Sequence, residues 1–159
     1  MSDAPHVLPL EFESNDEAVY QVIYQYGMAM YLIQVLEHQI VNLIVASRLP
    51  GKGEMTREQI RRFREDTFRK MMSKLLQDLM DCVDLPEELR ERVSEIILKR
   101  NHLAHRFFRE HHPDMQSVEG NTRLINELMA LQKSVVAVDE ELTELERSVW
   151  RARGMKYPF

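Results

Sequence analysis

Eight apolar positions in the last third of the chain, Leu124, Leu128, Leu131, Val135, Val138, Leu142, Leu145 and Val149, follow one another in steps of four and three. That spacing is the seam of an amphipathic helix laying one stripe on a partner. It predicts a helix from near Asn121 to Gly154, whose glycine suits a C-terminal cap. The first third repeats the pattern with Val19, Val22, Tyr26, Ala29, Ile33, Leu36, Ile40 and Leu43. Ser14, with Glu17 three residues on, would cap that helix, and "LPGKG" after Arg48 would end it. Between the two lie a second helix from Thr56, with Gln59 as box partner, to near Cys82, and a third carrying Leu89, Val93, Ile96 and Leu103. The third would open on an Asp84–Glu87 capping box, with Pro86 in its first turn, and stop before "HHPD". No segment shows a strand period. The expected fold is all-α: an up-and-down four-helix bundle with long first and last helices. Residues 1–13, with Pro5 and Pro9, read as an extended arm, 14–154 as the bundle and 155–159 as a tail. The two long stripes suit an internal core or a second copy of the chain equally well.

The 159 residues imply one domain, and 44% hydrophobic with 30% charged residues reads as soluble and globular. Cys82 is the only cysteine, which fits a reducing cytoplasm. The most apolar run, Ile40 to Ala46, is far shorter than a membrane span, so no membrane partner is expected. A net charge of −5 means that an anionic ligand needs a local basic patch.

Two polar residues break the apolar stripes. Arg100 follows Ile96 by four and precedes Leu103 by three, so it falls on a buried face and needs a carboxylate, a cleft or an anion. Glu37 lies in the stripe Ile23, Met30, Glu37, Ile44, each seven apart, and also needs a partner. Arg100 and His105 are the partners it would meet; otherwise Glu37 sits at the stripe's edge in water. Asn101 and His105 are four apart and share a helix face. Arg100 and His105 are five apart, about 140° round an ideal helix, so one regular helix does not bring them together. Chemically the trio suits metal-independent cleavage of an RNA phosphodiester. His105 would move protons between the ribose 2′-hydroxyl and the leaving oxygen, Arg100 would stabilise phosphate charge, and Asn101 would orient a hydroxyl or water.

The segment "RNHLAHRFF", with Arg100, Asn101 and His105, resembles the HEPN superfamily (higher eukaryotes and prokaryotes nucleotide-binding). The resemblance implies an all-α domain that forms a homodimer and joins two motifs at the interface. Many members are metal-independent endoribonucleases of toxin–antitoxin, phage-defence or RNA-processing systems, so RNA and an antitoxin or other protein are the implied partners. Members paired with a nucleotidyltransferase antitoxin carry a modified tyrosine two positions after the histidine. Here that position is Phe107, which argues against that form of control. Other members are inactive binding modules. The alternative is therefore a non-catalytic helical module for a protein or nucleotide, with Arg100 and His105 in a structural network.

His102, His105, His111, His112 and Asp114 raise the question of a metal, with His102 and His105 at chelating spacing. No HExxH element or Cys cluster accompanies them, and His111 and His112 read as a helix end where cationic groups meet carbonyls. The expectation is no metal and no cofactor, with Glu37 and His102 supporting the site. Arg61, Arg62 and Arg106 are candidate RNA contacts; the run around Arg61 reads equally as a solvated, salt-bridged face. The acidic run Asp139 to Glu146 reads as a solvated helix face.

Overall fold

The computed structural model describes residues 10–49, 56–68 and 72–154. Among them there is no strand. The elements are α1 (Asn15–Arg48), α2 (Arg57–Phe68), α3 (Met72–Cys82), α4 (Glu87–His105), α5 (Phe107–Glu110), a 3-10 turn (Asp114–Gln116) and α6 (Val118–Ala152). Most of the arm, the "LPGKG" segment and the tail lie outside the described residues; Leu10 and Phe12, at the arm's end, rest half-buried on the core.

Helix α1 starts where Ser14 Oγ accepts the Glu17 amide at 3.2 Å. Helix α2 starts on a reciprocal box between Thr56 and Gln59. Gly154, at φ 64°, closes α6 in the left-handed conformation that favours glycine. The Asp84–Glu87 box does not form: α4 begins directly after Pro86, without a side-chain cap. The last helix begins three residues earlier than expected, because Ser117 Oγ takes the Gly120 amide and is the cap.

The two long helices run side by side and parallel. Asn121 donates to Asn15, Gln132 to Gln25, Gln39 to Glu146 and Arg153 to Ser47, pairs that keep a nearly constant sequence offset. A bundle of four up-and-down helices would set first and last antiparallel. The difference arises in the middle of the chain. The single helix expected over 56–82 is described as α2 and α3, on either side of residues 69–71. At 12 and 11 residues, each reaches only about 18 Å. Neither matches α1, whose 34 residues span about 50 Å. Helix α4 runs antiparallel to α6: Arg92 near its start pairs with Glu141, whereas Leu103 near its end lines one cavity with Leu128.

The inner stripes form the core. Ile33, Leu36, Ile40 and Leu43 of α1 are fully buried, with Leu124, Leu128 and Leu142 of α6, Val93 and Ile96 of α4 and Leu79 of α3. Each such side chain contributes roughly 1.5–3 kcal/mol by leaving water. One acidic residue corrects the solvated-face reading of 139–146. Glu146 is 1% exposed and accepts from Gln39 Nε2 at 2.9 Å and Trp150 Nε1 at 3.0 Å. Helix α1 also contains an 18-residue window of mean hydropathy 1.4, long and apolar enough by composition to cross a membrane. Half of that window is buried inside the bundle.

Candidate functional site

Helix α4 delivers Arg100, Asn101, His102 and His105, and ends at His105 because Arg106 leaves helical geometry (φ −133°). Tyr26 of α1 holds this end: its hydroxyl donates to the Leu103 carbonyl at 3.2 Å, and its ring packs 5.4 Å from buried Phe107 and 4.7 Å from Phe108.

Arg100 reaches back to α1. Its Nε donates to Glu37 Oε1 at 3.2 Å, and its Nη1 makes a longer contact to Asn101 Oδ1 at 3.4 Å. The side chains are 33% and 22% exposed, so the pair sits at the edge of the core rather than in it. Each polar residue that broke an apolar stripe therefore partners the other. His105 behaves differently: it is exposed and makes no side-chain hydrogen bond to a described residue, and the same holds for Arg106. Asn101 lies one turn back on the same outward face, and Leu98, 70% exposed, lies a further turn back. Among the described residues no hydrogen bond joins Arg100 to His105. Helix α4 is continuous between them, and the 140° between their directions stands.

His102 turns to the flank of α4. Its Nε2 lies 2.7 Å from Glu110 Oε2, and its ring stands edge-on to that of His111, centroids 5.8 Å apart. His111 Nδ1 lies 3.2 Å from Asp114 Oδ2, which Arg123 also contacts at 3.1 Å. His111 thus bonds a carboxylate and not a helix-end carbonyl, correcting the capping expectation. These imidazole contacts hold the Glu110 carboxyl below its usual range, and His111 with Arg123 does the same for Asp114. Both histidines line a cavity of about 400 Å³ between α4, α5 and α6, with Lys99, Phe107, Glu127 and Leu128. The sequence grouped these histidines only as possible metal ligands; their carboxylate partners and the shared cavity were not foreseen. The signal was the nine-residue gap from His102 to His111, which only a helix break after His105 turns into a contact. Among the described residues no group of three His, Cys, Asp or Glu side chains is placed to hold a metal ion.

Arg61 and Arg62, the other expected RNA contacts, are engaged along their own helix. Arg61 bonds Glu58 and Glu65, Arg62 bonds Glu58, and Glu58 is held below the usual carboxylate range by both. A phosphate would have to displace these carboxylates. No protein-family model, curated protein or solved structure matches the chain.

Proposed function

We propose that this chain is a metal-independent endoribonuclease of the HEPN kind, acting as a homodimer. The observation that carries the reading is His105: an exposed imidazole with no bond to a described residue, beside Asn101, in a basic segment that also carries Arg106 and Arg109, with Lys99 paired to Glu95 and Arg100 to Glu37. In the reaction the ribose 2′-oxygen attacks phosphorus and the bond to the 5′-oxygen breaks. His105 takes the 2′-hydroxyl proton or supplies one to the departing oxygen, and a 2′,3′-cyclic phosphate and a 5′-hydroxyl result. Arg100, held by Glu37, supplies fixed positive charge for the phosphate. A second copy would bring an Arg100 to a His105 that its own helix keeps away.

The Arg100–Glu37 pair also favours a second reading: a non-catalytic helical module for a protein partner or nucleotide, in which that pair is purely structural. Incubation with RNA in the presence of a chelator separates the two. The expected result is cleavage leaving 2′,3′-cyclic ends, reduced by roughly 10²–10⁴ in His105→Ala. Equal cleavage by both removes His105 from the mechanism, and no cleavage by either favours the binding module.

A further inference from the structure

The cavity between α4, α5 and α6 has no part in the proposed cleavage: Arg100, Asn101 and His105 do not line it. Its floor is apolar. Leu103 near the end of α4, Phe107 of α5, and Leu128 and Leu131 of α6 make it, and all four are buried. Its rim is polar. Lys99 and His102 stand one turn apart on α4, His111 lies beyond the helix break, and Glu127 joins them from α6. At about 400 Å³ the cavity has the size of a small-molecule site, and an apolar floor with a few polar groups is how such sites are built.

Charge at the rim decides what fits. The cations there are already answered: Lys99 Nζ by Glu95 at 2.7 Å, and Arg123, one turn before Glu127, by Asp114 at 3.1 Å and Glu119 at 3.3 Å. Glu127 makes no ion pair or hydrogen bond to a described residue. The two imidazoles add acceptors. An ionised carboxylate only accepts, so His102 Nε2 carries its proton toward Glu110 and His111 Nδ1 carries its proton toward Asp114. In the neutral ring the other nitrogen, Nδ1 of His102 and Nε2 of His111, is then an acceptor.

We propose that this cavity binds an arylalkyl amine. The flat apolar ring lies on the floor, where the Phe107 and His111 rings, 4.9 Å apart, give it an aromatic wall. The protonated primary amine sits at the rim and donates to the Glu127 carboxylate and to the free imidazole nitrogens. An ammonium has three donors and no acceptor, which matches that set. A carboxylate of the same shape would set like charge against Glu127 and find each lining cation engaged. This goes beyond RNA cleavage and draws nothing from it.

The test uses the whole chain in amine-free buffer, with tryptamine as the probe and indole-3-propionate as its anionic counterpart. Calorimetry should show saturable binding of tryptamine and far weaker binding of indole-3-propionate. Glu127→Gln should weaken tryptamine roughly tenfold or more, the worth of a charged hydrogen bond. Ala130→Trp fills the cavity from an exposed lining position and should abolish binding, with thermal unfolding showing the fold retained. No binding of tryptamine by the wild type overturns the site, as does wild-type affinity in Ala130→Trp. Equal binding of indole-3-propionate, or wild-type affinity in Glu127→Gln, overturns the choice of an amine. Binding is read without RNA, so failure here leaves the ribonuclease reading standing, and failure of cleavage leaves this site standing.

Discussion

Helices α1 and α6 are 34 and 35 residues long, lie parallel and share one core, yet their outer faces are opposites. That of α6 presents Glu127, Lys133, Glu140, Glu141, Glu144 and Arg147, with Met129, Val136 and, at its first residue, Val118 as the large apolar exceptions. That of α1 presents tyrosines, glutamine and a glycine. Inner faces obey the same packing demand, so their stripes look alike. Outer faces carry no such demand, so charged and aromatic side chains can divide between them.

The glycines of the two helices sharpen the contrast. Gly120, in the first turn of α6, is buried, and an added Cβ would overlap the backbone of Asp114. Beside it buried Asn121 donates to Asn15 and to the Met115 and Ser117 carbonyls, tying the starts of both long helices to the 3-10 turn. Gly120→Ala is expected to cost about 3 kcal/mol, because backbone cannot yield as a side-chain tip can. Gly27→Ala, in open space, is expected to gain about 1 kcal/mol when unfolding is measured at dilutions that hold the chain monomeric. Denaturant titration of both variants checks this; a shift in the same direction for both would break the comparison.

The inner faces differ in one respect, the carboxylate each carries. Glu146 of α6 is enclosed and binds Gln39 and Trp150, whereas Glu37 of α1 sits at the core's edge with Arg100. Glu146→Leu leaves two buried donors unmet and is expected to cost about 2 kcal/mol, part of which Gln39→Leu should restore in the double variant. Glu37→Ala should cost less, about 1 kcal/mol, since water reaches Arg100. Equal losses in urea unfolding would show that the two carboxylates are equally enclosed.

Much of this was legible in the sequence. Burial follows the heptads, so Ile33, Leu36, Leu128 and Leu142 could be assigned inward from spacing alone. Glu37 and Arg100 were legible as stripe-breakers because a charge among apolar neighbours needs a partner. Helix direction was not legible, because it depends on whether the middle of the chain spans the bundle, and the periodicity of 56–82 does not report its length in space. Glu146 was hidden in an acidic run, although it lies four residues from both Leu142 and Trp150. The break at Arg106 has neither glycine nor proline to mark it, and it decides where His105 and His111 go. The outer face of α1 had a plain signal, its charge-free run from Ala18 to Leu36, which heptad reading passes over because it looks only for the inward stripe.

Asp139 gives the smallest effect and isolates what a charge costs on α6. One of its carboxylate oxygens is buried without a hydrogen-bond partner, and burial, with Glu140 beside it, pushes its pKa up. A group raised above its unfolded value stabilises the fold at low pH, and that contribution is lost as pH rises through the folded pKa. At neutral pH the charged Asp139 therefore works against folding. Asp139→Asn should raise stability there by under about 1 kcal/mol, and the gain should vanish once pH falls below the carboxylate range. Glu110 and Asp114 run the other way: lowered by His102 and by His111 with Arg123, they lose their contribution as pH falls through their folded pKa values. The wild type should thus weaken in acid while its deficit against Asp139→Asn closes. Denaturation midpoints of both proteins from neutral pH to below pH ~4 measure the difference, and a constant gap across that range would mean that Asp139 is not the source.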